Sequence, residues 1–506
     1  MNRIRILATS DVHGYVFPYS YVDKKNINGS YSRLKTLIHS LRDENTLVLD
    51  NGDVLEGSPL SFYHFLKKSD EISPITIAMN EIGYDYVNVG NHDFNYGEYA
   101  LFNHLNHLDA KCITSNWYYN EQPFCNTYIL KKINGINIAL FGLTTQYIPH
   151  WEQPKNIQNS KFSSAVDQAK KIIKKIKKDG KADYIICLYH GGFERNLDTG
   201  EPSEDLTGEN EAYEIIKTIP EINVLISGHQ HRSLQGKLFQ TYYTQTNCNG
   251  LELACIDIYP DTNVIETKII PVEQSFDQQL LNLVKDEENE CQTWLDTPLG
   301  HSNINLSIQD EFDARIHKAQ LLTFINKAAI EYSGADISAS SLFINATGLN
   351  SEITMRNLVS TYVYPNTLVV KQFTGKQLKE YLEKNAEFFS ISVDNHIIIS
   401  PSYLYPKNQV YNYDMLDGIE YTIKVSNPIG SRIITFTKNG KQIQEDDLFT
   451  VVMNNYRASG GGNFDMVKDA KTVKEIATNM VDILAKYIIK HKVIDFEPVH
   501  NINVII

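Results

Sequence analysis

Nine side chains have types and spacing that could do chemistry together: Asp11, His13, Asp53, Asn91, His92, Asp93, His190, His229 and His231. Carboxylate, imidazole and carboxamide donors without sulfur suit first-row divalent ions such as Mn, Zn, Fe or Co. In Asp11-x-His13 and in His229-x-His231 the partners are two residues apart, so both project the same way from a strand end. One Asp-x-His pair means little, because an isolated histidine is more often a satisfied core or surface residue. Asp11, His13, Asp53, Asn91, His190, His229 and His231 together, at five separate strand ends, point to two metal ions. Two ions about 3.5–4 Å apart can bind both oxygens of an in-line phosphoryl displacement and activate a water. Asp53 is the expected bridging carboxylate. His92, beside Asn91, can then face the substrate, to donate to a phosphoryl oxygen or protonate a leaving alkoxide. Its plainer role is support of the neighbouring ligand.

The elements that must position these residues alternate between strand and helix up to about residue 230. Apolar runs at Ile4–Thr9, Thr46–Leu49, Tyr86–Val89, Asn137–Leu143, Tyr184–Tyr189 and Asn223–Ser227 read as buried strands. Helices are expected where Leu34, Leu37, Ile38 and Leu41 share a face, from about Pro74 to Gly83, and where Val166, Ala169, Ile173 and Ile176 repeat before Gly180. In such layered α/β folds the loops leaving the carboxyl ends of strands converge on one edge, where ligands bind. Shorter strands follow at Leu251–Tyr259 and Val264–Val272. A polar helix from Phe276 to about Trp294 leads to an irregular connection at 296–311. From about Phe312 the pattern is α+β, with strands at Thr367–Gln372, Tyr421–Val425 and Phe449–Met453. A closing helix is expected to carry Val473, Ile476, Met480, Ile483 and Tyr487. The expected domains are therefore 1–275 and 312–506, joined through 276–311.

The chain has 506 residues, more than one hydrophobic core usually serves. Its formal net charge of −14 argues against wrapping a nucleic acid duplex, which needs a basic face. Small anionic substrates stay possible, since bound cations reverse the local field. The six cysteines form no Cys-x-x-Cys pair, and several sit in apolar runs, as expected of a reducing compartment. No signal peptide precedes the first strand and no apolar run has the length of a membrane span, so a cytoplasmic protein without membrane contact is expected. A processed form would instead be periplasmic or extracellular. His104 and His107 read as surface residues. Ser459-Gly460-Gly461-Gly462 lacks the lysine and helix pattern of a phosphate loop. The oligomeric state is left open.

Through Asp11-x-His13, Gly52-Asp53, Gly90-Asn91-His92-Asp93, His190 and Gly228-His229-x-His231, the sequence resembles the calcineurin-like metallophosphoesterases. More narrowly it is similar to the bacterial two-domain 5′-nucleotidase family, and within it to the 2′,3′-cyclic-nucleotide 2′-phosphodiesterase/3′-nucleotidase branch. The second domain contributes the stretches 364–368, 411–418 and 454–462 to that likeness. The resemblance implies a four-layer αββα sandwich, joined by a helix to an α+β domain. It implies one ion on Asp11, His13, Asp53 and His231, and another on Asp53, Asn91, His190 and His229. His92 is then the catalytic acid or oxyanion donor, with Asp93 beside it as a second candidate. It also implies that two aromatic rings of the second domain sandwich a nucleotide base. Tyr456 is one, Tyr411 the other with Tyr413 competing, and Asn455 and Arg457 flank them. Without the resemblance both tyrosines read as strand residues.

Two departures separate this chain from the 5′-phosphate-cleaving branch. That branch often carries an aspartate three residues after the motif histidine, where Asn95 stands here. It also carries arginines in a stretch that corresponds here to 345–350, which has none. The expected activity is therefore the opening of 2′,3′-cyclic nucleotides and removal of the 3′-phosphate. A 5′-nucleotidase or UDP-sugar hydrolase with the same metals is the nearer alternative. A nucleotide-binding sensor without turnover is the alternative from another class.

Overall fold

The computed structural model describes residues 3–125, 128–204, 206–364 and 366–506. The first two residues, part of the expected leaderless start, and Pro365 of the 364–368 motif lie outside them. The chain divides into two units, residues 1–291 and 292–506. The division falls inside helix Lys285–Leu295. The segment expected to be irregular contains strand Pro298–Ser302, which pairs with Glu352–Thr354 and Val493–Ile494 in the second unit. The helix expected from Phe276 to Trp294 is two, Gln278–Leu283 and Lys285–Leu295.

The N-terminal unit is built on two six-stranded sheets. The first runs in the order Val264–Pro271, Glu252–Tyr259, Ile4–Thr9, Thr46–Asp50, Tyr86–Val87, Lys111–Cys112. The second runs Leu234–Leu238, Thr241–Gln245, Val224–Ser227, Tyr184–His190, Ile136–Thr144, Ile129–Ile133. Their central strands are parallel, and strands buried on both faces need unbroken apolar runs. The two-residue alternation then sorts each run between layers. Ile138, Leu140, Ile186 and Leu188 meet Ile4, Ile6, Leu47 and Leu49 between the sheets. Ala139, Phe141, Leu143, Ile185 and Cys187 point the other way, onto helices Ala165–Asp179 and Ala212–Thr218.

Helices Tyr31–Leu41 and Pro74–Ile82 complete the four layers with buried apolar faces. Ser73 caps the second of these by accepting the Thr76 N–H at 3.1 Å, with Pro74 fixing the first turn, and Gly83 ends it in a left-handed conformation. Strands Ile4–Thr9, Thr46–Asp50, Tyr86–Val87, Tyr184–His190 and Val224–Ser227 each hand the chain to one of the polar clusters. The third is shorter than the sequence suggests, because Asn88 turns its side chain inward to Asn51 and to the Leu143 carbonyl.

In the second unit a mixed five-stranded sheet runs Asp414–Asp417, Ile337–Ser341, Leu448–Asn454, Thr367–Thr374, Lys471–Asn479. A four-stranded sheet and helices Gln320–Ser333, Gly375–Ala386 and Met480–His491 accompany it. Val473 and Ile476, expected on the closing helix, lie in strand Lys471–Asn479. The helix starts at Met480, capped by Asn479, whose Oδ1 accepts from the Asp482 N–H at 3.2 Å. A helical spacing of apolar residues had run across a strand–helix junction.

His104 is a further correction. It is buried rather than on the surface, with Nδ1 2.8 Å from the Thr76 hydroxyl, which joins two helices of the first unit. Burial alone depresses its proton affinity, to about 3. The unfolded chain, with an ordinary histidine near 6.5, binds more protons in between, so stability must rise with pH there. His104 therefore contributes stability that is fully present above about pH 6.5 and is lost as pH falls toward 3, at up to roughly 1.4 kcal/mol per pH unit. Urea unfolding midpoints of the first unit between pH 4.5 and 7.5 should show this slope, and His104→Gln should flatten it. A slope unchanged by the substitution would refute the assignment.

Candidate metal centre

The loops after the strands bring six of the seven expected ligands into two groups. Asp11, His13 and His231 offer ligand atoms within 4.8 Å of one another, and so do Asp53, His190 and His229. His190 Nε2 lies 3.1 Å from Asp53 Oδ2 and 3.9 Å from Asp11 Oδ1, which brings residues of both groups together. Five of these residues have left-handed backbones: Asp11 (φ 57°), His13 (53°), Asp53 (58°), His229 (68°) and His231 (55°). Such conformations are uncommon outside glycine and cost on the order of 1–3 kcal/mol each. The geometry is locked by hydrogen bonds between loops. The N–H groups of Asp11 and His13 donate to the carbonyls of Gly52 and Asp53 at 2.9 and 3.0 Å, and the His229 N–H reaches both Asp11 carboxylate oxygens at 3.1 Å.

Asp93 makes the densest of these links. Its Oδ2 accepts from the N–H groups of Gly90 (2.8 Å) and Asp53 (3.0 Å), and its Oδ1 from Val54 (2.8 Å) and Leu55 (3.1 Å). It is 1% exposed. This corrects the expectation of a catalytic Asp93: its oxygens are committed to loop backbone and face no reacting atom. Gly90 is required for a separate reason. A Cβ there would stand 2.1 Å from Asp53 Oδ1, so only glycine lets the third loop pass the expected bridging carboxylate.

The donor atoms fit divalent cations. His190 Nδ1 is bonded to the Asn51 carbonyl at 2.7 Å and His13 Nδ1 to the Glu56 carbonyl at 2.9 Å. A carbonyl accepts only, so both rings carry the proton on Nδ1 and turn Nε2 inward as a ligand. His229 is held the other way round, its Nε2 3.0 Å from Glu209 Oε1, leaving Nδ1 as its ligand-type nitrogen. The Nε2 atoms of His13 and His231 meet at 3.1 Å, a hydrogen bond that His231 donates because His13 carries its proton on Nδ1, and it sets two imidazole nitrogens where one cation could take both. Among the described residues Asn91 Oδ1 is buried with no hydrogen-bond partner, and Asp53 Oδ2 and His190 Nε2 are buried with only each other, 3.1 Å apart. Such atoms are costly unless something else satisfies them.

The electrostatics agree. Burial opposes a charge on His190, but Asp53 and Asp11 outweigh it and push it up to about 9. For His231, Asp11 and then Cys248 overcome burial and push it up to about 10. His13 goes down to about 4, through burial and the nearby His231 and His92. Asp53, although buried, is held well below the usual carboxylate range by His190 and His92. The two buried aspartates keep their charge and protons on histidines balance it, a role that metal ions would take over.

His92 sits at the open side, its side chain 26% exposed. Its N–H donates to Asp53 Oδ1 at 2.7 Å, and its ring Nδ1 meets Asn95 Oδ1 at 2.7 Å. Residues that sequence reasoning missed surround the site. Glu56 Oε2 lies 3.4 Å from His92 Nδ1 and 4.0 Å from His13 Nδ1, and burial pushes Glu56 up to about 7. Glu209 orients His229, and Glu152 binds Asn95. Glu56, three residues after Asp53 of the Gly52-Asp53 motif, carried the one available signal. Glu152 and Glu209 lie in loops without any pattern.

In the second unit the rings of Tyr411 and Tyr456 are 6.4 Å apart and edge-on, at 65°. Neither is in a strand: Tyr411 lies in the turn Val410–Asn412 and Tyr456 in the short helix Asn455–Ala458. Tyr456 donates to Asn412 Oδ1 at 3.2 Å, and its ring packs on the backbone of Gly461, where a Cβ would come within 2.5 Å. The other candidates are corrected. Tyr413 is completely buried, stacked on Phe388 with centroids 4.7 Å apart. Arg457 is 2% exposed, lies over the Phe464 ring at 3.8 Å and is paired with Asp414. Asn455 Oδ1 accepts the Thr367 N–H at 3.0 Å and so anchors backbone.

Residues 4–233 match the calcineurin-like phosphoesterase family, and residues 298–469 match the 5′-nucleotidase C-terminal domain. The chain is 25% identical to the 2′,3′-cyclic-nucleotide 2′-phosphodiesterase/3′-nucleotidase of Haemophilus influenzae, over 96% of this chain and 84% of that protein. It is 26% identical, over 97% of its length, to the trifunctional nucleotide phosphoesterase protein YfkN of Bacillus subtilis, of which it spans 38%. A crystal structure from Staphylococcus aureus, described as that of a 5′-nucleotidase in complex with alpha-ketoglutarate, is 32% identical, with a TM-score of 0.94 and 100% of both chains covered. On this fold, these two domains and this likeness, the chain belongs to the calcineurin-like metallophosphoesterases that carry a 5′-nucleotidase C-terminal domain, and it is a phosphoester hydrolase.

Proposed function

We propose that this enzyme opens 2′,3′-cyclic nucleotides to 3′-nucleotides and then removes the 3′-phosphate, using two divalent ions. One ion would be held by Asp11, His13, Asp53 and His231, the other by Asp53, Asn91, His190 and His229. The observation that carries this reading is the convergence of donor atoms in two groups, each within 4.8 Å, on backbone held in strained conformations. When bound, the ions supply Lewis-acid polarisation of the phosphoryl oxygens and an activated water. Their identity among Mn, Zn, Fe and Co is left to experiment.

The chain's own residues do the rest. His92, with its proton fixed on Nδ1 by the Asn95 carbonyl, turns Nε2 toward substrate. Protonated there, it donates to a phosphoryl oxygen or passes the proton to the leaving ester oxygen. In the first hydrolysis the bond from phosphorus to O2′ breaks, and O2′ receives the proton. In the second the bond to O3′ breaks, releasing nucleoside and inorganic phosphate. In the second unit Tyr456 and Tyr411 are proposed to stack on the base, which tolerates any base because each has a π-face. Two rings enclosing a flat base need parallel planes about 7–8 Å apart, so Tyr411 must turn from its edge-on position.

The cyclic-nucleotide branch is supported by the Haemophilus influenzae relative, by Asn95, and by the absence of arginine from 345–350. The full-length likeness to the Staphylococcus aureus protein supports a second reading, hydrolysis of 5′-nucleotides. Phosphate and nucleoside release by Mn²⁺-loaded enzyme, measured side by side on 2′,3′-cyclic AMP, 3′-AMP and 5′-AMP, separates the two. The cyclic and 3′ substrates should be preferred, and preference for 5′-AMP would reverse the assignment. His92→Ala should lower kcat by about 10²–10⁴ with bound metal and unfolding midpoint retained; a variant as fast as wild type would remove His92 from the mechanism. Tyr456→Ala should raise KM roughly tenfold, from the loss of about 1–3 kcal/mol of stacking, while kcat changes little. An unchanged KM would show that the base is held elsewhere.

A further inference from the structure

We propose that Glu152 is a positioning residue for His92, acting through Asn95 to fix which ring nitrogen carries the proton. The inference rests on His92 being the proton donor of the proposed hydrolysis. The expected aspartate beside the motif histidine is absent, and an amide stands in its place. That amide does not act alone. Asn95 Oδ1 lies 2.7 Å from His92 Nδ1, and Asn95 Nδ2 donates to Glu152 Oε2, also at 2.7 Å. The carboxylate is present but lies one residue further out.

The second link gives the first its direction. An asparagine can present either its oxygen or its nitrogen to an imidazole, and on its own it would select no tautomer. Glu152 removes the choice. Its Oε1 already accepts the Gln153 N–H at 2.7 Å and Asn156 Nδ2 at 2.8 Å, so Oε2 is the oxygen turned to Asn95. An ionised carboxylate only accepts, so Asn95 must aim its NH₂ at Glu152 and its oxygen at His92. His92 then carries its proton on Nδ1, and Nε2 can gain and give the second proton.

The relay is built into the fold rather than lying loosely on it. Glu152 is 7% exposed, and its N–H donates to the Ile148 carbonyl at 3.0 Å. Asn156, 9% exposed, also donates to the Asn95 carbonyl at 2.9 Å, which ties the Glu152 loop to the residue it orients. Glu56 Oε2 approaches the same His92 nitrogen at 3.4 Å, a longer contact than that of Asn95. Chains of hydrogen bonds that end on a charge polarise one another, so part of the pull of Glu152 reaches the imidazole through the amide.

The hydrogen-bond pattern makes a specific forecast for Glu152→Gln. The oxygen of the new amide must stay where Oε1 accepts two donors, which puts its NH₂ where Oε2 was. Asn95 then has to flip, aiming its own NH₂ at His92 Nδ1 and moving the ring proton to Nε2. Replacing Asn95 as well, in Asn95→Asp/Glu152→Gln, gives an aspartate that accepts from both the glutamine NH₂ and His92 Nδ1, and the original tautomer returns.

The test uses the full-length, Zn²⁺-loaded enzyme in four forms: wild type, E152Q, N95D/E152Q and H92A. Nitrogen NMR of ¹⁵N-histidine-labelled protein, with His92 identified by its loss in H92A, reports the protonated nitrogen without reference to turnover. We expect Nδ1–H in the wild type and in the double variant, and Nε2–H in E152Q. With the best nucleotide substrate, kcat of E152Q should fall about 10–100-fold, as for other residues that orient a catalytic ring, with KM nearly constant. The double variant should regain most of the loss. An E152Q enzyme with wild-type kcat and an unmoved His92 signal overturns the proposal. So does a loss of kcat that accompanies a lowered unfolding midpoint and is not restored in the double variant. A wild-type enzyme that hydrolyses no nucleotide would overturn the proposed function instead, and the NMR result would still decide the relay.

Discussion

The active face of the first unit depends on one buried carboxylate that need not touch a metal or a substrate. Asp93 gathers N–H groups from Gly90, Asp53, Val54 and Leu55, and in doing so joins the loop after the second strand to the loop after the third. Between these loops stand Asp53 and Asn91. Hydrogen bonds to a charged acceptor are worth about 1.5–3 kcal/mol each, and an abandoned buried N–H costs a comparable amount. That scale matches the backbone strain of the five left-handed residues, which together cost roughly 5–15 kcal/mol, as much as the whole stability of a typical domain. Such strain persists only where the surroundings over-determine it. Here Asp93, the contacts of Asp11 and His13 with the second loop, and the grip of Asp11 on the His229 N–H supply the constraint.

A rigid backbone is half of what a metal centre needs; the other half is the orientation of each ring. His13 and His190 are oriented by main-chain carbonyls, of Glu56 and Asn51, while His229 is oriented by the carboxylate of Glu209. The difference has a chemical consequence. A carbonyl fixes the tautomer but adds no charge, whereas a carboxylate makes the imidazole a stronger donor to its ion. With ions held as proposed, His229 would be a richer donor than His13 or His190.

The strand ends and the residue types of the centre were legible in the sequence because parallel strands must be apolar throughout, so polar clusters stand out where they stop. Asp11, His13, Asp53, His190, His229 and His231 fall at such ends, and the structure gathers them into two groups. Backbone strain was not legible, because φ at an aspartate or histidine leaves no trace in residue type. Nor were the supporting acids: Glu152 and Glu209 come from irregular loops, and only the folded chain brings Glu152 to Asn95, 57 positions away in sequence. Asp93 was misread for the opposite reason. Its place beside His92 suggested shared chemistry, yet neighbours in a tight turn point in different directions. Tyr413 and Arg457 show the same error in the second unit, where motif membership was taken for exposure. Val473 and Ile476 show that three-to-four spacing continues by accident across an element boundary.

The replacement of a carboxylate by Asn95 has an electrostatic logic once the neighbouring acids are counted. Asp11, Asp50, Asp53, Glu56 and Asp93 are all buried around the centre. Burial already pushes Asp50 up to about 8 and Glu56 up to about 7, the mark of an interior that resists further negative charge. An aspartate at 95 would add another carboxylate on His92 Nδ1, a nitrogen that Glu56 already approaches at 3.4 Å. It would also face the charged Glu152 Oε2, 2.7 Å from the side chain at 95. Like charges at that distance raise each other's proton affinity, so that while Glu152 is present one of the two would take up a proton and lose its directing effect. An amide keeps the acceptor without the charge. It also leaves the orienting charge to Glu152, which three N–H donors from Gln153, Asn156 and Asn95 hold in place. The centre can then keep Asp11 and Asp53 ionised for cations while His92 is still aimed by a carboxylate at one remove.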